Sequence, residues 1–389
     1  MENFYFYYPT SVYFGKGSIE KLPKALNDIK KDAKILMVYG GGSIKRLGIY
    51  DRIMELCAAN GNTITELKGI EPNPRLNRVI EGIEIAKKEN IDIVMGVGGG
   101  SAIDTAKTIA YLRFTDTDPW QTICDRKIPV EKALPIVAIP TLAATGTETD
   151  PYAVISNPEV NGKMGIGNDL ARPKAAIMDP TYTFSVNKYH TGAGTADILS
   201  HCFECYFSVA KDCYLQKRVC EAVIKTVIKY GPVALEEPEN YEARSNLMWA
   251  ASMAISGETA RGAINTGWSC HPIEHVISGF YDITHGAGLA AITPTWLRYI
   301  LSDDTVDDIA AYGVNVWDID SRLDRYEIAN KAIDKTEEFF KALGMPSSLR
   351  EANIPDDSQL EAMAKAVGKV SGYVKLNEED ILNILKKAF

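Results

Sequence analysis

All five histidines of the 389-residue chain lie between positions 190 and 285. Asp197 and His201 are four apart in a helical pattern, so both side chains project from one face. His271 and His275 repeat that spacing, and His285 follows after a short loop over residues 279–284. One carboxylate and three imidazoles (Asp197, His201, His271 and His285) make a borderline donor set for one divalent ion, Fe²⁺ or Zn²⁺. Ligands drawn from two helices and a loop still leave room for a substrate oxygen. A lone helical histidine is ordinarily structural; pairing with a same-face or loop partner separates His201, His271 and His285 from that class. His275 lacks such support and reads as an outer group or a proton relay, His190 as a surface or boundary residue. Cys202 and Cys205 spell C-x-x-C, but inside a helical pattern and without the strand context of a redox motif. Cys205 could share the face of Asp197 and His201; core packing is the expectation.

A second chemistry is written in glycine. Gly96-Val97-Gly98-Gly99-Gly100-Ser101 follows a strand pattern and opens a helix. Glycines let the backbone approach a phosphate, and the free N–H groups of a helix start point at it. Gly98, Gly99 and Ser101 are therefore cofactor candidates, with Ser101 as helix cap and Asp104 in the capping-box position. A tight, well-capped turn is the alternative, and the motif is not the usual G-x-G-x-x-G. Gly40-Gly41-Gly42-Ser43 ends an earlier strand. A carboxylate at such a strand end binds a ribose 2′-hydroxyl and repels a 2′-phosphate. Here Ser43, Lys45 and Arg46 follow instead, which favours NADP(H) over NAD(H); a plain exposed loop is the alternative.

These groups need two kinds of scaffold. Strand-like runs at residues 34–39, 91–97 and 135–139 alternate with helical segments at 49–58 and 102–112, the pattern of a parallel sheet with crossover helices. Residues 6–14 add an edge strand or hairpin. Beyond about residue 188 helical periodicity dominates, as at 196–209, 214–230, 241–255 and 328–343. The expected organisation is an α/β dinucleotide-binding domain over residues 1–187 and an all-helical metal-binding domain over 188–389, with catalysis at the cleft between them. The length suits two cores. A net charge of -9 argues against a nucleic-acid partner. Seven scattered cysteines, no signal-peptide pattern and no apolar run of about 20 residues point to a cytoplasmic protein without a membrane span.

Taken together, these blocks resemble the iron-containing (group III) alcohol dehydrogenase family, over essentially the whole chain. The marks are Pro9-Thr10, Phe14-Gly15-Lys16-Gly17, Glu71-Pro72-Asn73-Pro74 and Gly98-Gly99-Gly100-Ser101-Ala102-Ile103-Asp104-Thr105-Ala106-Lys107. Pro140-Thr141-Leu142-Ala143-Ala144-Thr145-Gly146-Thr147-Glu148, Asp197-x-x-x-His201, His271-x-x-x-His275 and Tyr281-Asp282-x-x-His285-Gly286 complete them. The resemblance implies a Rossmann-like domain followed by a helical one, and metal ligands at Asp197, His201, His271 and His285. It also implies cofactor contacts from Gly40, Gly41, Ser43, Asn73, Gly99, Ser101, Thr141 and Lys163, with Asp150 and Tyr182 near the nicotinamide. Gly40 stands where other members carry an aspartate that looks NAD-selecting, and Ala144 where many have glycine. A homodimer fits the family.

The expected reaction is hydride exchange between NADP(H) and a small primary alcohol or aldehyde such as butanol or butanal, with the ion as Lewis acid and His275 relaying a proton. The rivals are a metal-dependent lyase resembling dehydroquinate synthase, a glycerol-1-phosphate dehydrogenase, a non-catalytic nucleotide sensor and a metallohydrolase. Trp268, Cys270, Pro272 and Ile273 make the histidine block apolar, which suits a small uncharged substrate better than a phosphorylated one.

Overall fold

The computed structural model describes residues 2–210, 212–263 and 267–389. They form two compact units, Tyr7–Ser185 and Val186–Phe389, the second joined by residues 2–6. Those first residues differ from the 1–187 reading because the Glu2 amide donates to the Gly262 carbonyl of the helical unit.

In Tyr7–Ser185 the strands are β1 (Ser11–Phe14), β2 (Lys34–Tyr39), β3 (Thr63–Lys68), β4 (Ile93–Gly98), β5 (Ile136–Pro140), β6 (Tyr152–Asn157), β7 (Gly162–Gly167) and β8 (Ala175–Met178). Six of them make one parallel sheet in the order β1-β8-β5-β4-β2-β3, and β6 and β7 form a separate antiparallel hairpin. Parallel neighbours require crossovers, provided among others by α1 (Leu22–Ile29), α2 (Ser43–Arg46), α3 (Ile49–Ala59), α4 (Leu76–Lys88), α5 (Gly100–Leu112) and α6 (Pro119–Cys124). Alternation along β2 sends Leu36 and Val38 into one core layer with Val79, Val94 and Ile109. Ile35, Met37 and Tyr39 enter the opposite layer with Ile53, Ile93 and Val97. With both faces covered, the central strands read as continuous apolar runs.

The chain runs from β2 outward to β3, then returns to β4 on the other side of β2. Such a reversal opens a crevice beyond the carboxyl ends of the strands, where ligands of open α/β sheets bind. The segment 40–42 leaves β2 and Gly98 ends β4, so the two glycine runs flank that point. Behind the second run, the fully buried Lys107 of α5 donates to the Thr147 carbonyl and hydroxyl and to the Asp150 carboxylate, each at 2.8 Å. Asp104, one turn earlier, accepts from the Thr147 hydroxyl at 2.7 Å and the Val154 amide of β6 at 2.9 Å. Burial pushes both carboxyls upward, Asp104 to about 6, while the Lys107 ammonium pulls the other way. This network ties α5 to the segment that follows β5.

The second unit contains α7 (Lys188–Tyr206), α8 (Tyr214–Glu236), α9 (Tyr241–Ile255), α10 (Cys270–Tyr281), α11 (His285–Ile300), α12 (Val306–Trp317), α13 (Arg325–Ala342), α14 (Leu360–Val367) and α15 (Glu378–Ala388), with two short paired strands, β9 (Val370–Ser371) and β10 (Lys375–Leu376). Helix α7 starts eight residues before the expected Ala196, capped by the Asn187 side chain accepting from the His190 amide. Residues 191–206 are all buried, so no polar face marks where the helix begins. Its neighbour α11 approaches at backbone distance: a Cβ on Gly286 would lie 2.0 Å from the Ala193 carbonyl oxygen. Among the described residues no helix is long and apolar enough to cross a membrane.

Two outcomes follow from these contacts. Gly286→Ala has to push α11 off α7, at the cost of overpacking, about 1–3 kcal/mol or more in denaturant unfolding. Lys107→Met strands the Asp150 carboxylate without its cation, and loss of one partner of a buried pair costs about 3–5 kcal/mol. An Asp150→Asn change in the same background should recover part of that loss.

Candidate metal centre and cofactor loops

Helix α7 brings Asp197 and His201 to one buried face, 2% and 3% exposed, and α10 presents His271 beside them. His285 is the first residue of α11, after the Thr284 N-cap. The set is therefore drawn from three helices, not from two helices and a loop. Asp197 Oδ1 lies 3.6 Å from His201 Nε2, 3.8 Å from His271 Nε2 and 3.7 Å from His285 Nε2. These separations exceed hydrogen bonds, about 2.7–3.2 Å. They run at or slightly above the edges of a tetrahedron of ligands around an ion, about 3.3–3.6 Å for bonds of about 2.0–2.2 Å. Asp197 Oδ1 and His271 Nε2 are both buried with no hydrogen-bond partner. Two orphaned polar atoms facing one point are costly unless something charged satisfies them, so the residues fit a divalent ion.

A second grouping, Glu274, His275 and His285, also has donor atoms within 4.8 Å of one another, as do Asp197, His201 and His271. The two groups reduce to one centre with support behind it. His285 gives Nδ1 to the Glu274 carboxylate, which leaves its Nε2 turned to Asp197. His271 likewise gives Nδ1 to Glu204 at 2.9 Å. Neither glutamate is among the residues singled out from sequence. The available signal was a repeated His-x-x-Glu, at His201–Glu204 and His271–Glu274.

Electrostatics agree with a cation-seeking centre. Burial alone would push the Asp197 carboxyl up; the imidazoles of His201, His271 and His285 outweigh it and hold it well below the usual carboxylate range. Burial pulls His201 down to about 3. For His271 burial acts the same way, but Asp197 and Glu204 prevail and raise it to about 9. The His201 and His271 rings stack at 4.8 Å, and Trp268 stands edge-on to His271 at 4.6 Å, closing the centre with apolar surface. His275 is half-buried, its ring 5.4 Å from that of His285 and 6.2 Å from that of His271. His190 is exposed in the first turn of α7. Cys202, Cys205 and Cys270 are buried free thiols. Burial pushes all three up, Cys205 to about 11.

In the α/β unit, the N-cap of α5 is Gly99, and no side chain caps it. Gly98 takes φ +147°, a value side chains rarely tolerate. Ser101 lies inside the helix and its carbonyl accepts from the Thr105 hydroxyl. The expected Ser101–Asp104 capping box is thus not formed. Asp104, a further cofactor candidate by sequence, engages both of its oxygens inside the domain, with the Thr147 hydroxyl and the Val154 amide. Asp150 is likewise held by Lys107 and by the Tyr152 amide at 2.6 Å. The remaining loop candidates cluster by strand end. Gly40 and Gly41 follow β2, Ser43 opens α2, Thr141 follows β5 with its amide on the Gly98 carbonyl, and Tyr182 lies just beyond β8. Asn73 adopts φ +51° in the turn before α4, and Lys163 sits on β7 opposite Ser156. Beyond β2, Lys45 lies 4.2 Å from the Tyr50 ring centroid, and Glu66 accepts from the hydroxyls of Tyr39 and Tyr50.

Comparison with known proteins accords with both halves. Residues 9–180 match the family model described as iron-containing alcohol dehydrogenase, and residues 191–389 match the C-terminal domain model of the same family. The chain is 50% identical to the NADH-dependent butanol dehydrogenase A of Clostridium acetobutylicum, with all of both chains covered. It is 32% identical to the NADPH-dependent aldehyde reductase of Escherichia coli, over 97% of this chain and 96% of that one. Among solved structures, NADH-dependent butanol dehydrogenase A of Thermotoga maritima superposes with a TM-score of 0.95 at 36% identity, covering 100% of this chain and 99% of the other. The chain belongs to the iron-containing alcohol dehydrogenase family, whose members are NAD(P)-dependent oxidoreductases.

Proposed function

We propose that this chain transfers a hydride between NADP(H) and a small primary alcohol or aldehyde such as butanol or butanal. The observation that carries the reading is the convergence of Asp197, His201, His271 and His285, with three Nε2 atoms 3.6–3.8 Å from one carboxylate oxygen. These four residues would hold one divalent ion, Fe²⁺ or Zn²⁺, whose contribution is Lewis-acid polarisation of the substrate oxygen. Nicotinamide supplies the hydride chemistry.

The rest falls to side chains and backbone of this chain. The uncapped start of α5, with Gly98, Gly99 and Ser101, offers N–H groups and a helix dipole to the pyrophosphate. Gly40, Gly41, Ser43, Asn73, Thr141, Lys163 and Tyr182 complete the cofactor contacts. Gly40 places no carboxylate against a 2′-phosphate, and Ser43, Lys45 and Arg46 supply a hydroxyl and cations. That composition supports NADP(H) as the preferred cofactor, although the 50% identical relative carries an NADH-dependent name. Trp268 and the ligand rings present apolar surface that excludes water and suits an uncharged substrate. His275, beside His285 yet partly open, passes the alcohol proton toward solvent.

Butanal reduction by metal-loaded protein, followed by cofactor absorbance, tests the reading. The expected result is oxidation of NADPH faster than NADH at equal concentration, abolished by a chelator and restored by Fe²⁺ or Zn²⁺. No turnover with either cofactor in protein that holds its ion would favour the lyase or the sensor. His275→Ala should keep its metal and lose about 10²-fold in turnover, the low end for general acid–base groups, with a changed pH profile. Full turnover across the pH range would remove His275 from the proton path.

A further inference from the structure

The two buried glutamates behind the metal centre are exchanged between helices. Glu204, 6% exposed on α7, does not serve His201 of its own helix; it reaches His271 of α10. Its carboxylate also accepts the backbone amides of Ser269, Cys270 and His271, at 2.5, 2.8 and 2.9 Å, and so closes the first turn of α10. Glu274, fully buried on α10, does not serve His271; it reaches His285 of α11 and is held in turn by the Ser278 hydroxyl. His201 differs from both: its Nδ1 is buried without a hydrogen-bond partner. Two of the three imidazoles are therefore backed by a carboxylate from another of the three donor-bearing helices, and the third is not.

A histidine that gives Nδ1–H to a carboxylate is fixed in one tautomer, with its Nε2 lone pair free and its ring held in orientation. We infer that Glu204 and Glu274 are positioning residues that set the tautomer and aim of His271 and His285. They link α7 to α10 and α10 to α11, so that the donor set closes only when the three helices are docked. The inference rests on the metal-centre reading above. It assigns the glutamates no contact with substrate or ion.

The test is metal affinity rather than turnover. Wild type, Glu204→Gln and Glu274→Gln are stripped of metal, and Co²⁺ is titrated against a competing chelator while the visible ligand-field spectrum is recorded. Each variant is expected to bind Co²⁺ about 10–100-fold more weakly, the usual effect of removing such a partner, with an altered spectrum. Thermal melting of the stripped proteins controls for folding. Glu204→Gln also loses the closure of α10 and is expected to melt lower; Glu274→Gln, whose carboxylate meets the His285 and Ser278 side chains, is the decisive variant. Co²⁺ affinity of Glu274→Gln within twofold of wild type, with an unchanged spectrum, overturns the inference while leaving the metal centre standing. Wild type that takes up no Co²⁺ would overturn both, and so separates failure of the centre from failure of its support.

Discussion

A carboxylate buried in a helical core is the constraint around which the second unit is arranged. Asp197 is 2% exposed, in a helix whose residues 191–206 are all buried. An unpaired charge there would be prohibitive. Three imidazole nitrogens gather around it as further donors for a cation, and each has to be delivered from a definite place: one from the next turn of α7, one from the start of α10, one from the first residue of α11. The close approach of Gly286 to Ala193 follows from the same demand, because the start of α11 must come within a ligand's reach of α7.

The α/β unit solves a different problem with different means. Its polar side chains are used inward: Asp104, Lys107, Thr147 and Asp150 bond to one another beneath the segment after β5. What the carboxyl edge of the sheet offers to a ligand is mainly backbone, at the ends of β2 and β4 where the strand order reverses. A phosphate asks for many weak donors in a curved array, whereas a cation asks for a few strong donors at fixed distances. The two units are specialised along that line.

Local signals were legible where periodicity and chemistry coincide. The apolar run of β2 and the helix Tyr241–Ile255 are where pattern alone places them. Of the four residues that converge on Asp197 Oδ1, the pair Asp197 and His201 was legible from its i, i+4 spacing; His271 and His285 were legible only as histidines clustered about a short loop. The start of α7 was not, because a helix buried all round carries no polar stripe. The role of Asp104 was misread for a related reason. Spacing gives a residue's place in the helix, and a capping box and a tertiary tie to β6 use the same position. Glu204 and Glu274 stayed hidden because each acts on a histidine of another helix, and sequence spacing speaks only for neighbours on one.

The lack of sulfur among the gathered donors of the described residues has a consequence for which ions suit the centre. Cys205 follows Glu204 and Cys270 precedes His271, and burial pushes both thiols up. Only thiolates ligate strongly and enter the oxidation ladder. Among the described residues neither thiol belongs to a group of donor atoms lying within 4.8 Å of one another, and nitrogen and oxygen donors alone disfavour soft monovalent copper. The sulfurs nearest these donors in sequence, Cys202 and Cys270, are buried packing, and the choice among ions falls to nitrogen and oxygen.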